Sequence, residues 1–267
     1  MPSVVKMNME MFGKYAKQQQ LQQAPLATRM RPKTLYGFIG QKHLLAKGRV
    51  LQRAIESDHI PPMIFWGPPG SGKTSLANVI AFSVGAYFAP INAVSVRVAD
   101  LRKIAVEAKE RYQISSRRTI LFIDDIHLFS ETQQDVVLLF INNGIIILIG
   151  ATTENPFFEV TSPLLSRMRV IPLKPLTEEE IRILISRATT DILQGIGDLK
   201  VELQQNALEQ LIKMSNSNAR MALNTLEIAA LNTPVDTKGK RMIRLEAIED
   251  AFQKLRSKQY LHLVGTM

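Results

Sequence analysis

From Pro25 onward, short apolar runs alternate with amphipathic stretches. The runs at 62–66, 87–91, 119–123, 145–149 and 170–173 are continuous rather than alternating, which predicts strands buried on both faces. Between them the apolar positions take helical spacing. Residues 76, 77, 79, 80 and 84 mark one stripe on a helix over 74–84. Residues 98, 101, 104, 105 and 108 mark a second over 98–112, and 132–140 reads as a third. Strands of this kind separated by helices predict an α/β fold, a parallel sheet sandwiched by helices.

After Pro175 the strand signals stop. Thr177 ahead of Glu178, Glu179 and Glu180 marks a helix start, a hydroxyl cap with acids in the first turn, leading into a helix over 181–193. Further helices fit 204–214, 218–231 and 244–257, with loops at 195–200 and 232–239. The pattern thus predicts an α/β domain over 25–174, a small all-helical domain over 175–258 and a tail over 259–267. Residues 1–24 are Met-rich, then Gln-rich, with Glu10 as their one acid, and read as a flexible arm. Their basic, acid-poor character leaves an organelle address open, although they contain no Arg.

Composition narrows the class. With 33 Lys and Arg against 24 Asp and Glu, the 267 residues carry a net charge of +9. Hydrophobic residues at 46% and charged residues at 21% exclude wholesale disorder. The absence of Cys excludes a disulfide scaffold, thiolate catalysis and Cys-based metal sites. His43, His59, His127 and His262 are scattered, without the spacing of a metal site. The aliphatic run at 145–149 falls far short of the about 20 residues of a membrane span. No secretory signal is legible at the start of the chain. These features predict a basic protein of a reducing compartment that faces a polyanion.

The strongest chemical signal is Gly67, Pro68, Pro69, Gly70, Ser71, Gly72, Lys73 and Thr74. They fit G-x-x-x-x-G-K-[ST] between a predicted strand and a predicted helix, the context a phosphate-binding loop requires. Its glycines let backbone N–H groups turn inward around phosphates at a helix N-terminus. Lys73 then serves the β- and γ-phosphates and the Thr74 hydroxyl a Mg²⁺ ion, so ATP and Mg²⁺ are the expected cofactors. The strand over 119–123 runs into Asp124 and Asp125. Asp124 is the second candidate Mg²⁺ ligand. Asp125 stands where many ATPases place a Glu that polarises the attacking water, and is shorter by one methylene, about 1.5 Å. A misplacement of about 1 Å can cost on the order of 10²-fold in rate, so slow hydrolysis is expected. The plain alternative for Asp125 is a solvated strand-end carboxylate. Thr152, at the end of the next strand, is the candidate hydroxyl for orienting water or the γ-phosphate, with Thr153 and Asn155 behind it. Its plain alternative is a polar loop turning ahead of Pro156.

These motifs, followed by Leu165, Ser166 and Arg167, together resemble an AAA+ ATPase. Pro25-Leu-Ala-Thr-Arg-Met-Arg-Pro32, Phe38-Ile-Gly-Gln41-Lys-His-Leu44 and Asn218-Ala-Arg220-Met-Ala-Leu-Asn-Thr-Leu-Glu227 are similar to the replication-associated recombination ATPase family, RarA/MgsA and the eukaryotic Werner-helicase-interacting ATPase. The resemblance runs from about Met11 to Gln253. It implies that residues 29–32 and 38–41 line the adenine side, with Phe38 and Ile39 against the nucleotide. It implies that Arg167 is an arginine finger reaching a neighbouring subunit's γ-phosphate, a contribution worth 10³–10⁵ in rate (order of magnitude). It also implies that Arg220 is a second sensor on the lid. Taken alone, either arginine would read as a surface residue paired with an acid.

The family acts on DNA at stalled forks, favours ends and single-stranded/duplex junctions without reading sequence, and interacts with single-strand-binding protein. Residues 97–118 hold seven basic and three acidic side chains, and 238–258 again seven against three, compatible with phosphate contacts. A basic stretch is also an ordinary solvated face. Three departures accompany the resemblance. Asp125 replaces a Glu. Leu128, Ser130 and Glu131 occupy a segment that in relatives reads Arg-Phe-Asn-Lys. The family's C-terminal oligomerisation region is expected to be lacking, which leaves Arg167 to AAA+ contacts between copies or to a partner protein. Two functions therefore stand: a DNA-stimulated ATPase of replication, recombination and repair, and a nucleotide-binding interaction module or switch that hydrolyses weakly as a partner subunit.

Overall fold

The computed structural model describes residues 23–142, 144 and 146–264. The expected arm over 1–24 lies almost wholly outside the described residues. The chain divides into two compact units, one over Pro32–Leu176 and one formed by the chain up to Arg31 with Thr177 onward.

The first unit is the predicted parallel sheet. Strands β1 (Met63–Trp66), β2 (Tyr87–Asn92), β3 (Thr119–Asp124), β4 (Ile146–Thr152) and β5 (Arg169–Pro172) are all parallel, in the order β2-β3-β4-β1-β5. The long helices are α1 (Lys73–Ser83), α2 (Val98–Ser115) and α3 (Glu131–Asn142). Because successive side chains of a strand point to opposite faces, each strand feeds two cores. Met63, Phe65, Ile120, Phe122, Ile147 and Ile149 pack with Leu76, Ala77 and Ile80 of α1. Ile64, Leu121, Ile123, Ile146 and Leu148 pack with Leu101 and Ala108 of α2 and Val136 and Val137 of α3. The central strands β1, β3 and β4 are thus buried on both faces, whereas the edge strand β2 is half exposed. Short helices at Lys42–Leu45, Val50–Glu56, Pro156–Glu159 and Ser162–Leu165 carry too few apolar positions to show a period in sequence.

The second unit holds α4 (Glu178–Thr190), α5 (Gln205–Ser215), α6 (Ala219–Asn232) and α7 (Leu245–Val264). The predicted cap forms as a capping box: the Thr177 side chain accepts the Glu180 N–H and the Glu180 carboxylate accepts the Thr177 N–H. Helix α4 stops at Thr190 rather than 193, because the Asp191 carboxylate caps the N–H groups of Leu193 and Gln194 in a turn. Three expectations change here. Strands do not stop at Pro175: β6 (Val201–Leu203) and β7 (Arg241–Ile243) form a two-stranded parallel sheet, each too short to show periodicity. The short helix Leu26–Arg29 belongs to this unit and not to the α/β unit, held by Glu227 of α6. The expected tail from 259 continues the backbone of α7 to Val264.

Among the described residues, no helix is long and apolar enough to cross a membrane, and no group of three His, Cys, Asp or Glu could hold a metal ion.

Candidate functional site

The sheet order places three strand ends side by side. Strand β4 pairs with both β3 and β1, with Trp66 in register with Thr152, and the Gly67 N–H donates to the Thr152 carbonyl at 3.2 Å. The predicted loop 67–74, Thr152 and the carboxylates of Asp124 and Asp125 therefore share the C-terminal edge of the sheet, where open α/β sheets bind ligands. Asn92, the last residue of β2, lies in register with Asp124.

The loop is shaped by its glycines. Gly70 and Gly72 have φ of 74° and 97°, a region L side chains resist. A Cβ on Gly67 would run into the Leu173 carbonyl, because the chain leaving β5 passes directly beside it. A Cβ on Gly72 would lie 3.0 Å from Cζ of Phe38, so the ring predicted for the nucleotide side is seated on the loop's last glycine. Lys73 opens α1, is buried, and its Nζ donates to the Gly67 and Pro68 carbonyls at 2.7 and 3.0 Å. Thr74 follows it in the helix's first turn. The Ser71 hydroxyl is buried without a hydrogen-bond partner. An orphaned hydroxyl, a backbone turned at two positive-φ glycines and a helix N-terminus are features a triphosphate site requires.

At the tip of β3, Asp125 has φ 56° and launches a one-turn 3₁₀ helix, Ile126–Leu128. Asp is among the few residues that enter this left-handed region at modest cost. Thr152 is buried, and its Oγ1 accepts the Glu154 N–H at 3.0 Å and lies 3.1 Å from Nδ1 of His127. Asn155 caps the helix Pro156–Glu159, accepting the Phe157 N–H, and Thr153 is exposed.

The two predicted arginines are both exposed. Arg167 is exposed just past the helix Ser162–Leu165, at the entry to β5. Arg220 is exposed in the first turn of α6, in the helical unit. Arg29, expected at the adenine side, donates to Glu227 at 2.9 Å and to the Gly195 carbonyl at 3.0 Å inside the helical unit. Several basic residues are likewise engaged by the fold. Arg111 stacks over the Tyr87 ring at 3.7 Å and donates to Thr119, Arg117 donates to the Gly85 and Ala86 carbonyls, and Arg118 pairs with Asp58. Gln41 was legible only as one letter of a motif. It is buried and ties the Ser71 carbonyl to Lys174, a role no local pattern announces.

A phosphate-binding loop beside paired strand-end carboxylates, on this sheet order, defines a P-loop ATPase core, and the family comparison agrees. Residues 63–176 match the ATPase family associated with various cellular activities (AAA), and residues 197–260 match the AAA C-terminal domain. The chain belongs to the AAA ATPase family, whose cofactors are ATP and Mg²⁺. Within it, the chain is similar to replication-associated recombination protein A. The Escherichia coli K12 protein is 46% identical over 226 residues, 85% of this chain and 50% of that protein. The Bacillus subtilis 168 protein is 39% identical over 230 residues, 86% and 53% respectively. ATPase WRNIP1 of Dictyostelium discoideum is 40% identical over 206 residues, 77% of this chain and 23% of that protein. The chain thus spans about half the length of the bacterial relatives it matches. Among solved structures, the Thermotoga maritima RuvB Holliday junction branch migration motor superposes with a TM-score of 0.66 at 26% identity, covering 85% of this chain and 73% of that one.

Proposed function

We propose that this chain is the ATP-binding and ATP-hydrolysing part of a DNA-stimulated AAA+ protein of replication, recombination and repair. The observation that carries the reading is the shared edge of loop 67–74, Asp124, Asp125 and Thr152. Backbone N–H groups of Gly70, Ser71 and Gly72 and the Lys73 ammonium bind the phosphates, and Phe38, beside Gly72, closes the site with Ile39. Thr74 and Asp124 would hold Mg²⁺, which neutralises charge on the phosphates when bound. Asp125 orients the attacking water from one side and Thr152 from the other. The missing methylene of Asp125 predicts slow turnover. Arg167, exposed, completes the site of a neighbouring copy as an arginine finger, and Arg220 reports nucleotide state from the helical unit.

The names replication-associated recombination protein A and Holliday junction branch migration motor support DNA as the partner. We extend this to forks and single-stranded/duplex junctions, to single-strand-binding protein as a further partner and, if the source is bacterial, to the nucleoid as location. Exposed basic side chains such as Arg102, Lys103, Lys109 and Arg244 supply charge for phosphate contacts. A second reading, a nucleotide-dependent interaction module with weak hydrolysis, draws on Asp125.

Steady-state ATPase with and without forked DNA separates the two. DNA-stimulated turnover in the wild-type chain, lost in Lys73→Ala and Arg167→Ala and raised in Asp125→Glu, is the expected result. Wild-type ATP binding with turnover no faster than Lys73→Ala would sink the hydrolase reading in favour of the module. Light scattering with ATP tests assembly, and a strict monomer at all concentrations would remove the role of Arg167.

A further inference from the structure

The turn Ile126–Leu128 is seated on β4 by a specific fit. Ile126 is buried against Gly150, where a Cβ would come within 2.8 Å of the Ile126 Cδ1. The turn is closed by Leu128 N–H to the Asp125 carbonyl at 2.9 Å and Phe129 N–H to the Ile126 carbonyl at 3.1 Å. This seating brings His127 Nδ1 to 3.1 Å from Oγ1 of Thr152, two residues further along β4.

The Thr152 hydroxyl has one proton and two lone pairs. It accepts the Glu154 N–H at 3.0 Å, and the Glu154 carbonyl lies 3.4 Å away, at the long limit for a donor from oxygen. If Nδ1 of His127 carries no proton, it takes the Thr152 proton and the hydroxyl has nothing left to donate. If Nδ1 carries the proton, it donates to Oγ1. Both lone pairs are then used, and the Thr152 proton is left to a weak contact that a phosphoryl oxygen or a water can displace.

We propose that His127 is a positioning residue. By donating from Nδ1 it holds the Thr152 hydroxyl with its proton turned outward, toward the phosphate end of the loop. This rests on the ATPase reading above for its consequence in turnover, and on the hydrogen bond alone for its geometry. No proton leaves or joins the pair in this role; only the direction of one hydrogen bond is set. His127→Asn keeps an N–H donor where Nδ1 stands, and His127→Ala removes it.

Two measurements on the full chain test it. In steady-state kinetics, His127→Ala should lower kcat by about tenfold or more with the KM for ATP within about twofold, and His127→Asn should stay within about threefold of wild type. His127→Ala turning over like wild type, a change confined to KM, or His127→Asn as slow as His127→Ala would each overturn the proposal. In ¹⁵N spectra of the imidazoles, assigned with His127→Asn, the His127 Nδ1 resonance should move in Thr152→Val and again on adding a non-hydrolysable ATP analogue with Mg²⁺. A resonance indifferent to Thr152→Val overturns the pairing itself. If wild-type turnover does not exceed Lys73→Ala, the ATPase reading fails, and the spectra still decide the role of His127.

Discussion

Gln41 and Lys174, 133 positions apart, are joined by both ends of one side-chain amide. Gln41 Nε2 donates to the Lys174 carbonyl at 2.7 Å while its Oε1 accepts the Lys174 N–H at 3.0 Å. The same Nε2 donates to the Ser71 carbonyl at 3.2 Å, so a single buried amide connects the phosphate-binding loop to the chain that leaves β5.

Gln41→Leu should therefore cost about 2–3 kcal/mol, since it leaves two carbonyls and an N–H without partners in a buried site. It should also weaken binding of a fluorescent ATP analogue, because Ser71 loses its outer anchor. Urea denaturation and a binding titration check the two effects. An unchanged midpoint would mean that water replaces the amide.

In the helical unit, Glu227 accepts the Leu26 N–H at 2.9 Å and the Arg29 guanidinium at 2.9 Å, with side-chain exposures of 20% and 13% for the acid and the base. Glu227→Ala should lower stability by about 2–3 kcal/mol, below the full cost of breaking a buried pair because both partners retain some solvent. Glu227→Gln, which keeps the acceptor for Leu26, should cost about 1 kcal/mol. Equal losses in the two variants would show that the charge, not the N–H cap, holds the N-terminal helix.

Gly72→Ala combines a φ of 97° with a Cβ 3.0 Å from the Phe38 ring. The expected result is a loss of about 1–3 kcal/mol and at least about tenfold weaker nucleotide binding. Gly239, at φ 77° with nothing within 4 Å of its Cβ position, is the control. Gly239→Asn should stay within about 1 kcal/mol of wild type with full nucleotide affinity. Nucleotide affinity preserved in Gly72→Ala would show that the loop accommodates the side chain.

Lys240, just ahead of β7, pairs with Glu202 of β6, and the hydrogen bond it donates to that carboxylate, then the carboxylate's charge, raises the ammonium above its ordinary 10.5. A raised folded-state pKa stabilises the fold fully below the unfolded value and loses that contribution as pH rises through the folded value. The difference in Tm between wild type and Lys240→Met should thus be small at neutral pH, shrink with added salt, and vanish above the raised pKa. A difference that grows with pH would overturn the pairing as its cause.

Periodicity reached what is repetitive in this chain. Five apolar runs became five parallel strands because strands buried on both faces leave no polar alternate to confuse the pattern. The loop 67–74 was legible because its chemistry is contiguous: glycines, Lys73 and Thr74 must be adjacent to wrap one phosphate. Strands β6 and β7 escaped because three residues carry no period, and the pairing of Arg29 with Glu227 escaped because the two lie 198 positions apart.

The sequence by itself determined the strand–helix alternation, the phosphate loop and the carboxylates at 124 and 125, since each depends on residues next to one another along the chain. Only the tertiary structure decided that Gln41 spans from Ser71 to Lys174, that Ile126 seats on Gly150, and that His127 thereby meets Thr152. Those relations arise where the sheet order brings distant segments within hydrogen-bond reach. A side chain's partner across such a distance is set by packing, and packing leaves no mark in the local pattern of residues.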